Sequence, residues 1–149
     1  MHDRISQSSL FQLCPRLVPS LMELGNNPSV ETISTGLLHI VKLRASQINN
    51  CGFCQHMHAH EARVDGEHQS RLDVLPAWRE LSCFNLQEKA ALAWTEALTL
   101  IHQQALDQDV YQTVLDAFGE QGLVELTTVI LQINSWNRIA VSFNFQPDM

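Results

Sequence analysis

The sequence predicts an all-α fold in a single domain. Three observations carry that expectation. Apolar residues recur at three- and four-residue steps through most of the chain, capping residues and breakers stand at the ends of those runs, and strand signals are nearly absent. At 149 residues the chain suits one domain whose core needs neither disulfide nor metal to hold it. No internal repeat, low-complexity segment or linker divides it, so 1–149 is read as one domain with a core over 28–143, a short N-terminal extension and a frayed C-terminal "QPDM".

The first helix read from the pattern lies in "PSVETISTGLLHIVKLRASQIN", where Val30, Ile33, Leu37, Val41, Ala45 and Ile48 form one face. It should stop at Asn49 and Asn50. Asn50 is a candidate N-cap for a second helix that starts at Cys51, runs to about Val64 and ends at Asp65–Gly66. "HQSRLDVLPAWRELSC" predicts one or two short helices broken at Pro76. Asn85 and Glu88 have capping-box spacing ahead of a helix with Ala90, Trp94, Ala97, Leu98 and Ile101 on its stripe. Asp107 or Asp109 can cap the next, which carries Tyr111, Val114, Leu115 and Phe118 and ends at Gly119. A last helix follows with Leu123, Leu126, Ile130, Ile133, Trp136 and Ala140.

A net charge of -7 without a Lys/Arg cluster argues against nucleic acid or an anionic membrane as partner. The N-terminus lacks an apolar signal-peptide core, and no stretch approaches the roughly 18 apolar residues of a membrane helix. A cytoplasmic protein is expected, and there a close cysteine pair points to redox chemistry or metal binding rather than a structural staple.

That pair stands in "NNCGFCQHMHAH". On a helix, Cys51, Cys54 and His58 fall in one line, within reach of each other. His58 can take a proton from Cys54 and favour the thiolate, the reactive form. Cys51, in the first turn, meets unsatisfied N–H groups and the positive end of the helix dipole. A peroxide-reducing dithiol would use both: one thiolate attacks the O–O bond and becomes a sulfenic acid, and the other condenses with it to a disulfide. His56 and His60 turn away from this line and are read as solvated surface residues. Glu61 is within reach of His58 but is read as a surface carboxylate, Cys14 and Cys83 as ordinary semi-buried cysteines, and Trp78, Trp94 and Trp136 as core or subunit interface.

"KLRASQINNCGFCQHMHAHEAR", continued by "LPAWRE", "EKAALAWTEALT" and "LVELTTVILQINSWNRIAVSF", resembles the AhpD-like alkylhydroperoxidases of the carboxymuconolactone decarboxylase superfamily over about 28–143. The resemblance implies an AhpD-like helical bundle, assembled as a homo-oligomer, a trimer or hexamer, without metal or organic cofactor. It implies a thiol peroxidase acting on organic hydroperoxides, in which Cys54 attacks, His58 relays the proton and Cys51 resolves. Electrons then come from a dithiol reductant such as a lipoyl-bearing protein. This chain departs from the family pattern at two places. His39 stands where the family commonly has a glutamate in the proton relay, which changes the charge and the pH range of that group. Phe53 occupies a position where a histidine is known. Asn134, Asn137 and Arg138 match family positions assigned to packing or helix-end hydrogen bonding.

Three other readings share these residues. Cys51, Cys54, His58 and His39 would make a Cys2His2 zinc set, though structural zinc usually organises a domain that lacks a core. A carboxymuconolactone-decarboxylase-type enzyme would need a cationic pocket, for which only Lys42, Arg44 and Arg63 are near. A non-enzymatic redox sensor would use the same dithiol without turnover.

Overall fold

The computed structural model describes residues 3–25 and 33–149, and every regular element among them is helical. In chain order these are α1 (Gln7–Leu13), α2 (Leu17–Gly25), α3 (Thr35–Ile48), α4 (Gly52–Val64), α5 (Gln69–Asp73), a 3-10 helix (Leu75–Glu80), α6 (Leu86–Thr99) and α7 (Gln108–Ser142). α7 is two helices joined at Gly119, whose φ of 72° places it in the left-handed region where glycine carries no Cβ penalty.

Capping explains most of the boundaries. Ser34 accepts from the Leu37 N–H and opens α3, which begins after the stretch that holds Val30; Val30 itself lies outside the described residues. Asn85 and Glu88 form the expected capping box on α6, and Asp107, rather than Asp109, caps α7. Pro76 opens the 3-10 helix in its first positions, where its missing N–H costs nothing. Asn50 does not cap α4. It adopts φ 54° to turn the chain sharply after α3, a conformation asparagine tolerates, and the N-cap is Cys51 itself.

α3 lies at the centre, packed against α4, α6 and α7, with α2 laid along α7. Ile40, Val41, Leu92, Leu126, Val129 and Ile130 fill the space between them, almost wholly removed from water. Of the stripe expected on α6, Ala90 and Trp94 are buried, Ala97 and Leu98 are half-buried and Ile101 is 58% exposed beyond the helix end, while Glu96 faces inward. Its carboxylate accepts from Trp78 Nε1 at 2.8 Å, Arg44 Nε at 3.0 Å and Arg79 Nη2 at 2.7 Å. Burial alone would raise the Glu96 pKa, but these bonds hold it below the usual carboxylate range. The charge thus ties the 3-10 helix and α3 to α6.

The N-terminal segment is no loose extension. Its helices are short and interrupted by Pro15 and Pro19, so no long periodicity announces them, yet they close the site described below. Gly25 ends α2 so close to α7 that an added Cβ would lie 3.0 Å from Val129 Cα and 3.1 Å from Thr128 O. Backbone cannot yield as a side-chain tip can. Gly25→Ala is expected to lower stability by about 1–3 kcal/mol through overpacking, read from a urea unfolding midpoint.

Candidate active site

The turn between α3 and α4 is held by a polar network from α7. Asn49 Nδ2 donates to Asn134 Oδ1 at 3.0 Å and to Asn137 Oδ1 at 2.9 Å, and Asn137 Nδ2 donates to Ser46 Oγ at 2.9 Å. The Ser46 carbonyl accepts from the Cys51 N–H at 3.0 Å, so the network ends on the backbone of the first cysteine. Asn137 is fully buried. Asn137→Ala would leave the Asn49 amide and the Ser46 hydroxyl without that partner, and a loss of about 2–3 kcal/mol is expected in chemical unfolding.

Cys51 and Cys54 are joined as a disulfide with Cα atoms 5.3 Å apart, and each residue is 1% exposed. Cys51 Sγ accepts from the Cys54 N–H at 3.2 Å, the N-cap bond of α4, so the helix N-terminus bears directly on this sulfur. Phe53, between them, meets Phe145 edge to face with centroids 5.4 Å apart. Around the disulfide, Leu10 and Phe11 from the N-terminus and Phe143 and Phe145 from the C-terminus close a small apolar cluster separate from the main core. Phe145, just before the terminal QPDM, is buried; of those four residues Pro147 is half-buried and Gln146, Asp148 and Met149 are exposed.

Cys54 lies on the wall of a cavity of about 440 Å³, within the range of about 300–1,000 Å³ usual for small-molecule sites. Phe11, Phe53, Trp136 and Phe145 give it aromatic walls, with Val18, Met22 and Ile133 between them. Its polar side carries Lys42, His58 and Glu61. Trp136 thus serves the cavity, whereas Trp78 and Trp94 are buried in the core.

The electrostatics assign the protons. His58 Nδ1 lies 3.1 Å from Glu61 Oε2. The hydrogen bond to His58 holds the Glu61 carboxyl below its ordinary range, so Glu61 is ionised and can only accept. Nδ1 must then carry the hydrogen, which leaves Nε2 as the basic nitrogen. Burial pushes the His58 pKa down, against the opposing pull of Glu61, and so favours the neutral imidazole. Lys42 is lowered too, by burial, with the Glu61 charge working the other way. Glu61 therefore orients His58; its side chain stays 46% exposed, but it is bonded to a buried histidine and is not the plain surface carboxylate read from sequence.

His39 is placed differently from Cys51, Cys54 and His58. It is buried on α3 and its Nε2 lies 2.6 Å from Asp65 Oδ2 just after α4, outside the cavity wall. The zinc set is not assembled: the two sulfurs are bonded to each other, and no group of three or more candidate ligands gathers among the described residues. Arg44 is taken up by Glu96 and Arg63 is exposed and bonded to Gln69, so Lys42 is the one Lys or Arg on the cavity wall. His56, His60 and Cys83 are exposed and Cys14 is half-buried. No described helix is long and apolar enough to cross a membrane.

Residues 21–97 match the model of the carboxymuconolactone decarboxylase family. The uncharacterized protein YdfG of Bacillus subtilis is 34% identical over 134 residues, 90% of this chain and 91% of its own. A solved structure from Agrobacterium tumefaciens, described as a protein of unknown function and putative antioxidant defence protein AhpD, is 34% identical with a TM-score of 0.88 and 99% of each chain covered. The debrominase Bmp8 shares the fold at 17% identity and a TM-score of 0.76, over 93% of this chain and 74% of its own.

Proposed function

Because this chain belongs to the carboxymuconolactone decarboxylase family as an AhpD-like member, we propose that it is a thiol-dependent peroxidase that reduces organic hydroperoxides with Cys54 and Cys51. One observation carries the reading: Cys54 of a cysteine pair able to form a disulfide lines the same aromatic cavity as the His58–Glu61 pair.

The chemistry follows from the site. In the reduced protein His58 Nε2 takes the Cys54 proton, and the imidazolium is held by Glu61. The Cys54 thiolate attacks the distal oxygen of ROOH, the O–O bond breaks, and RO⁻ leaves as the alcohol after taking the proton from His58. Lys42 supplies positive charge near the departing oxygen. Cys51 then attacks the Cys54 sulfenic acid, expelling water and forming the disulfide. A dithiol reductant restores both thiols. The local field at the helix N-terminus favours a Cys51 thiolate, but Cys54 and not Cys51 lines the cavity, which supports Cys54 as the attacking thiol. Assembly as a homo-oligomer, a trimer or hexamer, and a cytoplasmic location are parts of the same proposal. Exposed Leu86, Val124 and Leu131 offer apolar surface for the assembly.

Reduced protein given one equivalent of cumene hydroperoxide is expected to lose the Cys51 and Cys54 thiols and release one equivalent of cumyl alcohol. If thiols and hydroperoxide both persist, the peroxidase reading fails.

A further inference from the structure

The two residues of the disulfide line different openings. Cys54 lines the aromatic cavity, and Cys51 does not. Cys51 lines a second hollow of about 320 Å³, and Cys54 does not. Phe53, Ala140 and Phe145 border both and form the partition between them. The second hollow is the more polar by its residues, with Arg4, Asn50, Asn144 and Gln146 around it and the backbone of Gly52 open to it.

Its roof is the end of the chain. After α7 the backbone turns at Asn144, φ 54°, and the Phe145 N–H returns to the Ala140 carbonyl at 2.9 Å. Gln146 Nε2 donates to the Asn144 carbonyl at 3.2 Å, and Pro147 completes the cover beside Cys51. Arg4 Nη1 reaches over to the Val141 carbonyl at 2.9 Å, so the N-terminal segment pins the same corner. Cys51 is 1% exposed under this roof.

We propose that this hollow is a second binding site, which takes a small dithiol as the reductant, and that residues 144–147 are the cover that must lift to admit it. The proposal rests on the redox cycle of the preceding subsection, but only on its reductive half. Thiol–disulfide exchange requires the attacking sulfur to approach in line with the S–S bond, from the side away from the leaving sulfur. Approach through the hollow therefore meets Cys51 and expels Cys54. The first donor thiolate bonds to Cys51, the Cys51–Cys54 bond breaks, and Cys54 departs as a thiolate beside His58, where it takes up a proton. The second donor thiol then attacks its own partner sulfur and releases Cys51. Two electrons pass from the donor, which closes as a disulfide, and both cysteines end as thiols. Hydroperoxide and reductant thus use opposite sides of one bond and do not compete for one mouth.

Gly52 gives the test, because a Cβ there meets nothing within 4 Å and bulk can be added at the rim. The oxidised protein is mixed with dithiothreitol and thiol appearance is followed. Gly52→Trp is expected to slow reduction about tenfold or more, and deletion of 146–149 to speed it at least about threefold. Gly52→Ala, the same backbone change without the bulk, should match the parent protein and report any effect of folding. Oxidation of reduced Gly52→Trp by cumene hydroperoxide should change less than about twofold, since that path runs through the other cavity. Parent-rate reduction of Gly52→Trp, or no acceleration on deleting the tail, would overturn the second site. Failure of the parent to consume hydroperoxide would instead count against the peroxidase reading, and the reduction series would still decide this one.

Discussion

Cys54→Ser is expected to lower kcat/KM for cumene hydroperoxide by at least about a thousandfold, because a serine hydroxyl at neutral pH supplies no anion to attack the O–O bond. Cys51→Ser should behave differently. It leaves the attacking thiol on the cavity wall and removes only the resolving one, so the first oxidation proceeds and turnover stops at the sulfenic acid. A coupled assay separates the variants: Cys54→Ser shows no burst of hydroperoxide loss, and Cys51→Ser shows one equivalent and then nothing. Were Cys51 the attacking thiol, as its position at the helix N-terminus alone would favour, the two results would be exchanged.

His58→Ala is expected to slow the oxidation step about a hundredfold by removing the base beside Cys54. The pH dependence carries a further sign. Burial holds the His58 pKa below its ordinary value, so the imidazole stays unprotonated, and able to act as a base, to lower pH than an ordinary histidine. The acid limb of the rate profile should therefore fall below pH 6.5. Glu61 pulls in the opposite direction, through its hydrogen bond and its charge. Glu61→Gln should thus move the limb to still lower pH while reducing the plateau rate about tenfold, since the imidazolium formed during attack loses its ionic partner. Stopped-flow oxidation across pH 4 to 9 would show both effects. A structural role alone would lower the plateau and leave the limb in place.

The cysteine pair was readable because its spacing is local. C-x-x-C at a helix start puts Cys51 at the N-cap and Cys54 one turn on, within disulfide reach, and the boundaries at Asn85, Glu88, Gly66 and Gly119 follow from capping and glycine chemistry at fixed offsets. What the sequence hid depends on distant partners. Glu96 looks like a solvent-facing helix residue until Arg44, Trp78 and Arg79 arrive from two other elements. Glu61, still half-exposed, bonds the buried His58 across one helical turn. His39 was expected near the relay, but the end of α4 brings Asp65 to it instead, 26 residues away in sequence. The short proline-interrupted helices α1 and α2 and the chain end carry no long apolar period, so nothing local announced that Phe11, Val18, Met22 and Phe145 wall the cavity.

The most direct test of the account is the site of the first oxidation. Reduced Cys51→Ser protein is treated with cumene hydroperoxide in the presence of dimedone, which captures sulfenic acids, and the modified peptide is located by mass spectrometry. The adduct is expected on Cys54, with Cys14 and Cys83 unmodified on the same timescale. An unmodified Cys54 with the hydroperoxide intact would contradict it.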